Sequence, residues 1–205
     1  MALACVALLL GLAHLLNAKP LDCEPLVPET LDNATISKVL GKWFYIAGAS
    51  QYKPHQKEME ALKNAYYFFY PGKHEDELQV TQVMRFNETC IVDKDSYITI
   101  DRSNSTMTMK GPHEDGTAQL LKSNFEDSLI MYHIQNTEQG ISLSARSQNV
   151  SKEQLEEVKA QAACLGFTKD DMYYTIAEAI CPLEDNDGDK KHPSKGEPTV
   201  EPTAG

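Results

Sequence analysis

The cysteines are the residues of this chain with the most chemistry to offer, and their spacing already narrows what they can do. Five occur, at positions 5, 23, 90, 164 and 181. None of the last four stands in a Cys-x-x-Cys step, so zinc, which closely spaced thiolates normally grip, is not indicated. Two uses remain open, a pair of disulfides or a free thiolate nucleophile, and the compartment decides between them. The six histidines are scattered, and Gly-x-Ser-x-Gly, His-Glu-x-x-His and phosphate-loop patterns are absent. Asp185-Asn-Asp-Gly-Asp189 has the look of half a calcium loop. With Gly188 at the sixth loop position, however, the first and twelfth ligands fall on Leu183 and Ser194, which breaks the pattern. No catalytic residue, no metal and no cofactor is expected, and the chain reads as a non-enzyme.

The compartment follows from the N-terminus. Met1 to Leu16 are almost wholly apolar and uncharged, and small Ala18 precedes Lys19 and Pro20. The run is shorter than the ~20 residues of a spanning helix, so residues 1–18 are predicted to be a cleaved secretory signal and no membrane span is expected. Cys5 leaves with the signal, and an even set of four cysteines enters an oxidising environment. Two disulfides are then the default, with three pairings open. Four sequons, at Asn33, Asn87, Asn104 and Asn149, predict a glycoprotein. A formal charge of −11 argues against nucleic acid as a partner. From Leu183 onward the chain is rich in Pro, Gly, Asp, Glu and Lys, so residues 184–205 are predicted to be a disordered acidic, Pro-rich tail. One domain, 19–183, lies between.

Within that domain the elements are mostly strands. Gly41 to Ser50, Ala61 to Tyr70, Glu77 to Phe86, Ser96 to Arg102, Ser105 to Lys110, Gly116 to Lys122, Ser128 to Gln135 and Gly140 to Ser147 are rich in β-branched or aromatic residues, with turn formers between them. Parity points one face of each strand inward: Val80 with Met84, Ile98 with Ile100, Met107 with Met109, and Ile130 with Tyr132. A capping box opens at Ser151 and Gln154. Leu155, Val158, Ala162 and Leu165 then form an apolar helical stripe that stops at Gly166. Asp170 to Ile176 predicts a short final strand. Eight strands, a helix and one more strand fit a mainly β fold, an eight-stranded antiparallel up-and-down barrel with one C-terminal α-helix packed outside.

Gly41-Lys-Trp43 near the mature N-terminus and Leu143-Ser-Ala-Arg146 just before the Ser151 helix resemble the first and last signatures of the lipocalins. Leu26-Val-Pro28, the run from Asn33 to Ala47, Ser151 to Leu155 and Cys181-Pro-Leu183 resemble the orosomucoid branch of that family. The middle lipocalin signature is missing, with Phe125-Glu-Asp in its place. The resemblance implies a lipocalin barrel plugged at one end by Trp43 and the short helical turn Thr35 to Leu40, with Arg146 packed on the indole. It also implies the pairings Cys23–Cys164 and Cys90–Cys181. Parity and resemblance together make Tyr67, Phe69, Val80, Gln82, Met84, Ile98, Ile100, Met107, Met109, Ala118, Leu120, Ile130, Tyr132, Ser142 and Ser144 the candidate ligand-binding wall.

The function implied is carriage of a small lipophilic molecule, such as a lipid, a steroid or a drug, by a secreted plasma glycoprotein with acute-phase transport and immunomodulatory roles. Where orosomucoids place an acidic residue, a basic residue and a tyrosine in the pocket, this chain has Gln82, Met109 and Ser144. Neutral lipids or steroids therefore suit it better than cationic drugs. Two other readings stay open. One is an interaction glycoprotein whose glycans engage plasma proteins or cell-surface receptors, with the barrel as scaffold. The other is the prostaglandin-isomerising lipocalin type, which needs an unpaired pocket cysteine. The chain is expected to be a monomer.

Overall fold

A computed structural model describes residues 26–111, 115–177 and 180–182. Along the chain run α1 (Asn33–Val39), β1 (Gly41–Ser50), α2 (Lys53–Ala61), β2 (Leu62–Pro71), β3 (Glu77–Phe86), β4 (Thr89–Asp93), β5 (Tyr97–Asp101), β6 (Thr106–Lys110), β7 (Gly116–Leu121), β8 (Ser128–Gln135), β9 (Glu138–Ala145), α3 (Lys152–Cys164) and β10 (Tyr173–Tyr174). Each barrel strand pairs antiparallel with the next, in the order β1-β2-β3-β5-β6-β7-β8-β9. β9 then returns to β1 and closes an eight-stranded barrel, which leaves no free barrel edge. Two strands stand outside the closed circuit: β4 extends the end of β3, and β10 takes the stretch of β1 beyond the reach of β2.

Two apolar clusters on opposite sides of the barrel wall hold it together. Inside, at one end, Trp43, Phe69, Leu78, Val80, Ile98, Ile100, Met107, Leu120 and Leu129 meet Leu31 and Val39. Outside, Ile46, Ala47, Ala49, Ile130, Ile141, Leu143 and Ala145 take the stripe of α3, with Val158 and Ala162 fully covered. β1 serves both clusters because of a bulge between Tyr45 and Ala47. The extra residue turns two successive side chains, Ile46 and Ala47, outward and resets the alternation.

α3 begins as its composition dictates. The Ser151 side chain accepts from the Gln154 amide, and the Gln154 side chain accepts from the Ser151 amide. Gln154 is buried, and its side-chain amide donates to Asp127 and Ser128, which ties the helix start to β8. Gly166, at φ 86°, ends the helical stretch in the left-handed region.

Several elements differ from expectation. α2 occupies a stretch read as loop; it carries no buried residue, so no apolar stripe announces it. β4 was also unforeseen, because four of its five residues are exposed and it has no dry face to alternate with. The final strand shrinks to Tyr173–Tyr174, since Thr168 and Asp171 cap a 3-10 turn over Lys169–Asp171 that takes up its first residues. The inward parity of β8 is the reverse of that expected: Ile130 belongs to the outer cluster and Tyr132 packs against it, while Leu129 lies inside. An outer helix makes the outer face of β8 the more apolar one, so hydrophobicity alone points the wrong way. The predicted signal 1–18 and tail 184–205 lie outside the described residues.

Candidate functional site

The closed end is built on Trp43, which is 1% exposed. Its indole N–H donates to the Val39 carbonyl at 2.7 Å, which locks β1 to the end of α1. The Arg146 guanidinium lies 3.7 Å from the ring centroid. Its Nη2 donates to the carbonyls of Lys38 at 2.7 Å and Leu40 at 2.8 Å, and its Nη1 to that of Lys42 at 2.8 Å. A planar fork with several donors can reach three carbonyls and still stack, which an ammonium cannot do. Phe69, Val80, Ile98, Ile100, Met107 and Leu120, named as ligand-wall candidates, are packed into this end with exposures of 7% or less.

The other half of the barrel is lined differently. β1 presents Tyr45 and Gly48 inward, β2 presents Ala65 and Tyr67, and β3 presents Gln82 and Met84. Across the interior stand Met109, Ala118, Met131, His133, Ser142 and Ser144. Glycine, alanine and serine supply five of these twelve positions, at Gly48, Ala65, Ala118, Ser142 and Ser144. Tyr45, Tyr67 and His133 are each partly buried.

Helix α2 lies over this half of the barrel. The Tyr45 hydroxyl meets the Met59 sulfur at 3.3 Å, and the Gln56 side chain donates to the Ser50 carbonyl at 2.6 Å. The polar groups below it, Asp93 apart, are neutral. The Tyr67 and Ser144 hydroxyls are 3.2 Å apart, and His133 Nε2 is 2.7 Å from Ser142 Oγ. Burial pushes the Tyr45 and Tyr67 phenols well above their ordinary value. Burial, with His55 of α2 adding repulsion, pulls His133 down to about 4, so the ring is neutral at physiological pH. Asp93 is the acidic member of this wall, and it is already engaged by Ser96, Gln82 and the Asp95 amide. Burial raises its pKa, but those hydrogen bonds outweigh burial and hold the carboxyl below its ordinary value.

Of the wall candidates, Tyr67, Gln82, Met84, Met109, Ala118, Ser142 and Ser144 come together in the open half. Ile130 and Tyr132 do not, and face α3 instead. Tyr45, Met131 and His133 were missed. A strand with its dry face outward hides His133 among residues read as solvent-facing, whereas Tyr45 shares the parity of Trp43 and was legible from it.

Cys90 and Cys181 form a disulfide. It ties the segment after β10 to the start of β4, where the Tyr66 hydroxyl donates to the Cys181 carbonyl at 2.9 Å. Cys164 is disulfide-bonded as well. Its expected partner, Cys23, lies outside the described residues. The four sequon asparagines, Asn33, Asn87, Asn104 and Asn149, are all exposed.

Comparison with known proteins gives consistent relatives. Residues 26–185 match the family model of the ApoM domain. The chain is 28% identical to the alpha-1-acid glycoprotein of Oryctolagus cuniculus over 201 residues, covering 96% of this chain and 100% of the relative. It is 28% identical to that of Bos taurus over 189 residues, covering 90% and 93%. Among solved structures, the siderocalin Ex-FABP superposes with a TM-score of 0.59 at 18% identity, covering 70% of this chain and 97% of that one. Lipocalin 12 from rat epididymis gives 0.59 at 16% identity, covering 78% and 93%.

Proposed function

Because the chain belongs to the ApoM domain family of the lipocalins, we propose that it is a secreted glycoprotein that carries one small lipophilic molecule in the open half of its barrel. The observation that carries this reading is the contrast between the two halves. One end is packed around Trp43, while the other is lined by small residues, methionines and hydrogen-bonding groups, the kind of lining a ligand site uses. Met84, Met109 and Met131 make that lining adaptable, which suits a site for several ligand shapes.

Secretion is supported by the apolar N-terminal stretch, the disulfide chemistry and four exposed sequons. Relationship to alpha-1-acid glycoproteins supports a plasma transport role with acute-phase and immunomodulatory functions, exercised by a monomer whose glycans engage plasma proteins or cell-surface receptors. The reading is non-catalytic. Cys90, Cys164 and Cys181 are all disulfide-bonded, which removes them as thiolate nucleophiles. Native mass spectrometry of the glycoprotein purified from its source fluid, followed by organic extraction, tests the reading. One lipophilic molecule per chain is expected. A chain that is empty as isolated and takes up neither lipids nor steroids would instead support the barrel as a scaffold for its glycans.

A further inference from the structure

Among the described residues, β4 is paired on one side only, to β3. The hydrogen bonds around it show which of its backbone groups are left over. The Val80 amide of β3 donates to Ser96, on the side of β4, whereas the Asn87 amide donates to Ala61, on the side of β2. Phe86, Met84 and Gln82 therefore bond toward β4, where they oppose Thr89, Ile91 and Asp93. Cys90 and Val92, in between, turn their N–H and C=O groups to the outer edge, where no described backbone group meets them. That edge is also apolar and exposed, with Ile91 at 41% and Val92 at 43%. The Cys90–Cys181 disulfide fastens the strand to the body of the domain, so the edge is held in strand form. Such an edge is a template for another strand.

The edge is complementary to itself. In a second copy laid antiparallel about a two-fold axis at Ile91, Cys90 opposes the partner's Val92, and each of the two such pairs exchanges both ladder bonds. Ile91 meets the partner's Ile91 across the axis. Exposed Glu88 then stands opposite the partner's Lys94, and exposed Lys94 opposite the partner's Glu88, so the charges match at both ends. Asn87 falls opposite the partner's Asp95. This asparagine is a sequon residue and sits at φ 52° in the turn that joins β3 to β4, beside the edge.

We propose that β4 is a docking edge for a second copy of this chain, and that the N-glycan of Asn87 blocks it. The proposal rests on the glycoprotein reading above and gives one of the glycans a task. A bulky, hydrated chain on Asn87 occupies the place that the partner's Lys94 and Asp95 need, so the glycosylated carrier stays a monomer. With Asn87 bare, the backbone groups of Cys90 and Val92 find partners and Ile91 and Val92 lose their contact with water. One short strand per copy makes a small interface of the transient class, and the two-fold closes the assembly at a dimer.

The test compares the full glycosylated chain with variants by sedimentation equilibrium, after glycopeptide mass spectrometry has established which sequons are filled. Asn87→Gly empties the sequon with the residue best suited to the positive φ, and Thr89→Val empties it while leaving Asn87 in the turn. Both are expected to dimerise with a Kd of about 100 μM, at least about tenfold tighter than the parent, as befits a small interface. Thr106→Val, which empties the Asn104 sequon, should remain a monomer. In the Asn87→Gly background, Val92→Pro removes an N–H that points to the edge and not to β3, and should abolish the dimer with the circular dichroism unchanged. Lys94→Glu in that background sets like charges opposite each other and should weaken the dimer about fivefold, and adding Glu88→Lys should restore it. Monomeric Asn87→Gly and Thr89→Val, a parent that dimerises equally, growth beyond the dimer, or a dimer indifferent to Val92→Pro each overturn the proposal. A native monomer with Asn87 bare and other sequons filled overturns it and leaves the glycoprotein reading intact, whereas four bare sequons overturn both.

Discussion

Replacing Arg146 with alanine removes four contacts at once and tests whether the closed end is a structural plug. The guanidinium covers the Trp43 ring at 3.7 Å and donates to the carbonyls of Lys38, Leu40 and Lys42. The indole is buried but the far side of the guanidinium is open to water, so the stacking contributes about 1 kcal/mol, between the exposed and desolvated limits. The three carbonyls lie at the end of α1 and the start of β1, and water can reach them once the side chain is gone. Each bond then contributes about 0.5–1 kcal/mol, the lower part of the usual range. These contributions overlap, since one side chain is ordered once for all of them, which places the loss at about 2–4 kcal/mol. For a domain of this size that corresponds to a fall in Tm of roughly 4–16 °C. Arg146→Lys keeps the charge but loses the fork, and should fall between the parent and alanine. Urea unfolding with both disulfides intact, followed by Trp43 fluorescence, measures the effect as a change in midpoint at constant slope. A loss below about 0.5 kcal/mol for Arg146→Ala would show that α1 and Trp43 close the barrel without this residue.

Three further outcomes are expected. His133 has its pKa lowered to about 4 from 6.5 in the folded chain, so as pH falls through that interval the unfolded chain takes up a proton that the folded chain refuses. Stability should drop by up to about 3 kcal/mol between pH 6.5 and 4, and acid titration of His133→Asn should show that segment flattened. Opening the Cys90–Cys181 bridge by Cys90→Ser with Cys181→Ser removes a link across 91 positions and should cost about 2–4 kcal/mol in denaturant melts, while non-reducing peptide mapping of the parent should recover Cys90–Cys181 and Cys23–Cys164. A methyl group at Gly48 would overlap the Tyr45 hydroxyl and sit near the Ile141 carbonyl, so Gly48→Ala should push the phenol into the ligand space, free Met59 and weaken a bound apolar probe about tenfold with little change in circular dichroism.

What the amino-acid order determines by itself is what depends on local chemistry. The Ser151 and Gln154 pair caps α3 in the same way in any globular context, and Gly166 ends the stretch because the backbone there needs positive φ. Strand alternation carried the order of the barrel strands, and the resemblance of Gly41-Lys-Trp43 and Leu143-Ser-Ala-Arg146 to the first and last lipocalin signatures carried the closed end. The side of the wall on which a residue falls was not local in this sense. Ile130 and Tyr132 look like core and are core, but they belong to the cluster under α3, because a helix supplied by distant residues 152–164 makes the outer face of β8 the drier one. His133 is thereby turned inward against Ser142, and the bulge at Ile46 does the same for Gly48. Period-2 patterning fixes which residues share a face but not which face looks into a barrel, for that depends on what packs against each side. The lining of the open half is likewise a property of the closed structure: strands far apart in the chain bring its glycine, alanine and serine positions together, while α2, with no buried residue of its own, lies across the top.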